Sequence, residues 1–384
     1  MVRGLSSSRS RRSLLSDSVK LTSTAGLALM SAGVIGTKFS AAQSATPASG
    51  TPMAMPAVDP QMQTVLDVLA SFKNPPIEEV TPDVARNLPG FDKALKLVEQ
   101  QQGITVPEMA IRGIVVPGPE GDIACRTYAP AAIASMTALP AVVYFHGGGF
   151  VIANLDTYES SCIALADLAQ CLVVSVAYRQ APEHPFTAAV DDAYAATQYV
   201  LASGADIGAD PGKVAVVGES AGGNLATVVC LKARDEGGLM PRHQVLIYPI
   251  TTYAPEGEQT QSITQYADAK PLNAAMLDWF KEYYLPNDED AQNAYASPLL
   301  AADLSGLPPA TIIQAEIDPL QSQGTAYAEA LTAAGVGVTA TLYSGVTHEF
   351  FGMGSVIDTA KAAEKEAAQA LLAAFSPSKA PPTS

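Results

Sequence analysis

A serine flanked by glycines stands at Gly218-Glu219-Ser220-Ala221-Gly222, and two further residues that could complete its chemistry follow it in the chain. Asp318 comes next, in Ala315-Glu316-Ile317-Asp318-Pro319, and then His348, in Gly345-Val346-Thr347-His348-Glu349-Phe350. A serine hydroxyl is a weak nucleophile at neutral pH and needs a base beside it and a turn that exposes it. Glycines two residues either side of Ser220 permit such a sharp, crowded turn. The order serine, acid, histidine around a G-x-S-x-G turn is one in which the three groups can act together on an acyl carbonyl.

The base is found by elimination. Of the four histidines, only His243 and His348 follow Ser220. His243 sits in the polar entry to a strand and reads as surface, whereas His348 sits on a loop just beyond one. Asp318 lies at the expected carboxyl end of a strand, with Glu316 as the rival acid two residues earlier. Its role would be to accept the His348 N–H, which sets the tautomer and stabilises the imidazolium. Upstream, His146-Gly147-Gly148-Gly149-Phe150 follows another strand. Three glycines let backbone N–H groups approach a developing oxyanion. Gly147, Gly148 and Gly149, with the N–H of Ala221, are the expected donors, and His146 reads as a brace for the loop.

These residues need a scaffold, and the chain supplies an alternating pattern. Apolar runs at Ala141–Phe145, Leu172–Ala177, Val214–Val217, Val245–Tyr248, Thr311–Gln314 and Val338–Tyr343 read as strands. Helical patterns intervene near Thr157–Ala169, Thr187–Ser203, Ala221–Arg234, Thr325–Ala334 and Ile357–Phe375. Short continuous apolar strands between helices indicate an α/β fold, with a mostly parallel sheet covered on both faces. Residues 107–130 read as antiparallel strands at one edge. Ahead of them lie two helical patterns, Pro60–Phe72 and Thr81–Gln102. Between Pro249 and Ser297 an insertion breaks the alternation. It carries a helix near Leu272–Leu285 and the sole tryptophan, Trp279. Leu277, Phe280 and Tyr284 share one face of that helix, which suits a lid over the site or simple packing.

The five segments His146–Phe150, Tyr178–Phe186, Gly218–Leu225, Ala315–Leu320 and Thr347–Phe350 together resemble the hormone-sensitive lipase family of α/β-hydrolases, close to its bacterial carboxylesterases. The resemblance covers about 59–375. It implies an α/β-hydrolase fold with a helical cap made of 59–105 and 250–296, and a triad of Ser220, Asp318 and His348. It also implies hydrolysis of short- to medium-chain acyl esters through an acyl-enzyme, without a metal or cofactor. Glu183 and His184 then match a structural segment near the oxyanion loop. Three positions depart from the usual pattern: Glu219 stands for Asp or Thr, Glu349 for glycine and Gln180 for leucine. A deacetylase or amidase using the same triad, and a non-catalytic ligand-binding member of the fold, are the alternatives.

Composition bounds the rest. The 384 residues are 48% hydrophobic and carry a net charge of −16. That is enough chain for one large α/β domain, and so acidic a chain offers no electrostatic footprint for nucleic acid. The expected partner is a small-molecule ester. No apolar run reaches the roughly 20 residues of a membrane span. Cys125, Cys162, Cys171 and Cys230 show no zinc spacing and read as buried thiols. Residues 1–42 read as an export signal: Arg11-Arg12 resembles a twin-arginine motif, an apolar stretch runs from Ala25 to Gly36, and Ser40-Ala41-Ala42 fits a cleavage site. Export to the periplasm or medium is the expectation, with a basic tail on a cytoplasmic protein as its alternative. Residues 43–58 read as a linker and 376–384 as a disordered tail.

Overall fold

The computed structural model describes residues 55–376. The expected export signal 1–42, most of the linker and residues 377–384 lie outside them. Helix α1 (Pro60–Ser71) opens the described chain, with Pro60 in its first turn and the Asp59 carboxylate accepting from the N–H groups of Gln61 (2.8 Å) and Met62 (3.2 Å). These are N-terminal groups that the helix itself leaves unpaired. Just before it, at the end of the expected linker, Val58 packs beside Ile317, and Asp59 N donates to Gly345 O at 2.8 Å.

The helix expected over Thr81–Gln102 is two helices, α2 (Pro82–Ala85) and α3 (Phe91–Gln102). Leu88-Pro89-Gly90 separates them. Proline has no N–H to donate and disfavours helical backbone in the residue before it. α3 ends at Gly103, whose φ of 68° is the left-handed conformation that glycine adopts without strain.

A hairpin of β1 (Met109–Gly118) and β2 (Gly121–Pro130) follows, and then the alternating run: β3 (Leu139–Phe145), α4 (Glu159–Ala169), β4 (Leu172–Val176), α5 (Ala188–Ser203), β5 (Ala209–Glu219), α6 (Ala221–Glu236) and β6 (Gln244–Ile247). After β6 come α7 (Gln261–Gln265) and α8 (Ala274–Tyr284), both within the insertion. The chain closes with β7 (Ala310–Ile317), α9 (Gln321–Ala333), β8 (Val338–Thr347) and α10 (Asp358–Phe375).

One sheet of eight strands runs in the order β1-β2-β4-β3-β5-β6-β7-β8. β1 and β2 are antiparallel to their neighbours, as the pattern at 107–130 implied, and the other pairings are parallel. The continuous apolar runs are explained by burial on both faces. In β3, Ala141, Val143 and Phe145 enter one core with Val200, Leu225 and Val229 of α5 and α6. Val142 and Tyr144 enter the other, with Leu165 of α4 and Leu371 of α10. Each such large apolar side chain contributes about 1.5–3 kcal/mol by leaving water. Among the described residues no helix is long and apolar enough to cross a membrane. All four cysteines are buried and unpaired.

Candidate active site

Ser220, Asp318, His348 and the glycine loop all sit at the carboxyl ends of parallel strands, where an open α/β sheet gathers its ligands. Ser220 joins β5 to α6 with φ 56° and ψ −116°, strained for a non-glycine residue. Its N–H donates to Ile247 O at 2.9 Å. The flanking glycines are required by space. A Cβ on Gly218 would stand 2.0 Å from Gly222 O, and one on Gly222 would stand 1.9 Å from Phe145 O. Local sequence thus dictates the turn, and the turn lifts the hydroxyl to the edge of a cavity.

His348 follows β8 directly. Its Nδ1 lies 2.7 Å from Asp318 Oδ2, both side chains being buried. With Nδ1 engaged, Nε2 remains as the nitrogen able to take a proton. Burial is the strongest influence on His348 and lowers its pKa, but the charge and hydrogen bond of Asp318, reinforced by Glu349 and Glu219, carry the balance upward. Asp318 also accepts from Leu320 N at 2.8 Å, which holds the carboxylate in place. Glu316 does different work: it accepts from Gly345 N at 2.8 Å and braces the turn before His348. His243 is not at the surface as its polar neighbours suggested. It is half-buried, its Nε2 lies 2.9 Å from Thr311 Oγ1, and burial lowers its pKa to about 4.

The glycine loop divides. Gly148 and Gly149 line a cavity of about 410 Å³ together with Ser220 and His348. Gly147 lies behind it, where a Cβ would stand 2.2 Å from the Tyr158 hydroxyl. Gly148 and Gly149 have φ of 96° and 60°, so this backbone demands glycine. A Cβ on Gly149 would also meet the Phe280 ring at 2.2 Å, so α8 lies directly over the loop. His146 braces the loop, with Nδ1 2.7 Å from Gly147 O and its ring stacked on Tyr178 at 4.4 Å. Gln180 donates to Ile152 O at 2.6 Å, an anchor that leucine could not make. Arg86, next to α2, donates to Val151 O at 2.8 Å and grips both oxygens of Glu183 at 2.8 and 2.7 Å.

A smaller recess of about 20 Å³ is lined by Ser220, Ala221 and Gly149 and walled by Ile250, Tyr253, Leu272, Phe280 and Leu320. Residues of 59–105 and of 250–296 both line the larger cavity, and the Trp279 indole N–H donates to Val80 O at 3.1 Å between them.

Residue typing alone missed a buried acid and tyrosine cluster around the site. Glu219 accepts from Tyr144 and Tyr248, and burial, then the charge of Glu349, pushes its pKa up to about 8. Tyr248 packs against the His348 ring at 4.4 Å. Glu349 accepts from the Tyr158 hydroxyl at 2.7 Å, and its own pKa is raised, mainly by burial. The departures from pattern at 219 and 349 were the available signal. Among the described residues no group of three or more His, Cys, Asp or Glu is placed to hold a metal ion.

The chain is similar to known esterases. Residues 142–352 match the family described as alpha/beta hydrolase fold. Esterase LipI of Mycobacterium tuberculosis is 40% identical over 267 residues, covering 69% of this chain and 82% of that protein. Carboxylesterase NlhH of the same organism is 42% identical over 260 residues, 66% of this chain and 80% of that one. Among solved structures, a hyperthermophilic esterase from Pyrobaculum calidifontis superposes with a TM-score of 0.73 at 37% identity, covering 84% of this chain and 100% of its own. The chain belongs to the α/β-hydrolases, on the hormone-sensitive lipase branch that the five sequence segments indicated.

Proposed function

We propose that this carboxylic ester hydrolase cleaves short-chain acyl esters of larger alcohols through an acyl-enzyme on Ser220. The observation that carries the reading is the buried 2.7 Å pair of Asp318 and His348 beside a cavity that Ser220 also lines. His348 Nε2 takes the Ser220 proton as Oγ attacks the carbonyl carbon. Backbone N–H groups of Gly148, Gly149 and Ala221 hold the oxygen as it becomes an anion. His348 then returns the proton to the leaving alcohol oxygen, and the bond to that oxygen breaks. Water repeats the sequence on the acyl-serine and releases the acid. Asp318 keeps the imidazole oriented throughout. Segments 59–105 and 250–296 act as the cap that keeps bulk water from the reacting atoms.

The two spaces that Ser220 lines set the substrate. Nε2 must reach the leaving oxygen, so the alcohol occupies the 410 Å³ cavity that His348 lines. The acyl group takes the apolar recess of 20 Å³. That recess is far smaller than the cavity, which favours a short acyl chain.

A panel of 4-nitrophenyl esters of rising acyl length tests this. Turnover should be highest for acetate or propionate and fall steeply by hexanoate, and a maximum at octanoate would reverse the assignment of the two spaces. Ser220→Ala should lower activity roughly 10⁴-fold or more. Retention of a tenth of the wild-type rate would rule out Ser220 as the nucleophile.

A further inference from the structure

Asp318 engages Nδ1 of His348, and a second carboxyl stands near the other ring nitrogen. Glu349 Oε1 lies 3.8 Å from Nε2. That oxygen is held in place, because it accepts from the Tyr158 hydroxyl at 2.7 Å. Tyr158 is buried, with its ring edge-on to Phe91 at 5.3 Å. Its hydroxyl sits against Gly147, where a Cβ would stand 2.2 Å away. The tyrosine thus wedges between the oxyanion loop and Glu349. The Glu349 backbone is left-handed, with a φ of 70°, a strained state for a side chain other than glycine. Strain of this kind clusters where a side chain is needed for function.

Among the described residues, Asp318 at 2.7 Å and Glu349 at 3.8 Å are the acids that stand as ion pairs with this ring. An opposite charge this close favours the charged form of an imidazole. Other groups face the ring as well. Tyr248 packs on it at 4.4 Å, and its hydroxyl donates to Glu219. Glu219 also accepts from Tyr144, and burial, then the charge of Glu349, pushes its pKa up to about 8, which keeps it neutral at neutral pH. Burial raises the Glu349 pKa too, with Asp318 adding to the rise, while His348 and then Tyr158 oppose it. Lys73, Glu78, Arg86, Asp92 and Lys270 share the cavity lining and are untouched by the substitutions below.

We propose that Glu349 is a positioning residue of the triad: held by Tyr158, its carboxylate is a second counter-charge for the His348 imidazolium, serving Nε2 as Asp318 serves Nδ1. This rests on the reading above, in which His348 is the base. The carboxylate stabilises the imidazolium that forms when Ser220 gives up its proton. It also holds a proton on the resting ring, and so sets the lower pH limit of activity.

The test follows kcat/KM of the full chain on 4-nitrophenyl acetate against pH, at constant ionic strength. Glu349→Gln keeps the size of the side chain and an oxygen for Tyr158, and removes the charge. The midpoint of its acid limb should fall by about one pH unit. Well below both midpoints the variant then keeps about tenfold more of its plateau rate than wild type does. Glu349→Gly, which suits the left-handed backbone, should show the same fall. Tyr158→Phe should lower the midpoint when Glu349 is present and leave it in place when Glu349→Gln is combined with it. A midpoint reads the same whatever fraction of a preparation is folded. Midpoints unmoved in both Glu349 variants would overturn the proposal, as would a Tyr158→Phe shift that persists in the Glu349→Gln background. NMR titration of histidine-labelled Ser220→Ala protein reads His348 without turnover, its signal being the one lost in His348→Gln. If its pKa falls with Glu349→Gln while the kinetic limb stays, the base assignment fails and this proposal with it. If neither moves, this proposal alone fails.

Discussion

The indole N–H of Trp279 donates to the backbone carbonyl of Val80 at 3.1 Å, joining two segments about 200 residues apart. Phe280, edge-on to that indole with ring centres 5.3 Å apart, lies over Gly149 and lines the cavity. The sequence's only tryptophan therefore reports on these two segments, and its fluorescence should change when a covalent phosphonate occupies Ser220. An unchanged spectrum at full labelling would make the insertion a static packing element.

The pH profile tests His348. A general base must be neutral, so kcat/KM should rise with pH along one acid limb. The pKa of His348 is raised, so the midpoint should lie above the ordinary histidine value of about 6.5. His348→Gln should abolish turnover, whereas His243→Gln should leave the limb in place. The opposite pair of results would move the triad to the other histidine.

Glu219 gives a stability prediction. Its pKa is pushed up to about 8, chiefly by burial, with Glu349 adding to the rise and Ser161, Tyr144 and Tyr248 opposing it. An unfolded glutamate titrates near about 4.3. A carboxyl whose folded value is the higher one favours the fold fully below that unfolded value, and the contribution is lost as pH rises towards 8. Glu219→Gln should therefore flatten the fall in stability between about pH 4.5 and 8, by as much as about 1.4 kcal/mol per pH unit. Urea unfolding at several pH values measures it. Glu364, raised by burial to about 7, should leave part of the slope behind. A slope identical to wild type would show that Glu219 is ionised in the fold.

Export is the remaining proposal. Arg11-Arg12, the apolar stretch after them and Ser40-Ala41-Ala42 imply a mature N-terminus near Gln43. Mass spectrometry of the protein from an exporting bacterial host should find it there, and an intact Met1 on protein in the cytosol would refute it.

Much of the site was written locally. Ser220 could be read because a strand, two glycines and a helix start are consecutive in the chain, and those glycines answer to clashes with atoms of the same turn and of β3. The sheet was legible because strands buried on both faces must be apolar throughout. The break at Pro89 was also local, though hidden inside a long helical pattern. Other features were settled only by packing. Asp318 and Glu316 are two residues apart on adjoining backbone, and β7 and β8 decide that the first meets His348 while the second braces Gly345. His243 looked exposed because its neighbours are polar, yet it enters β6 between β5 and β7 and its ring meets Thr311. Glu349 follows His348 directly in the chain, but Glu219 lies 129 positions before that histidine, and only the folded sheet brings it near. Short-range sterics are carried by adjacent residues, whereas the burial that shifts a pKa depends on what distant segments place around the group.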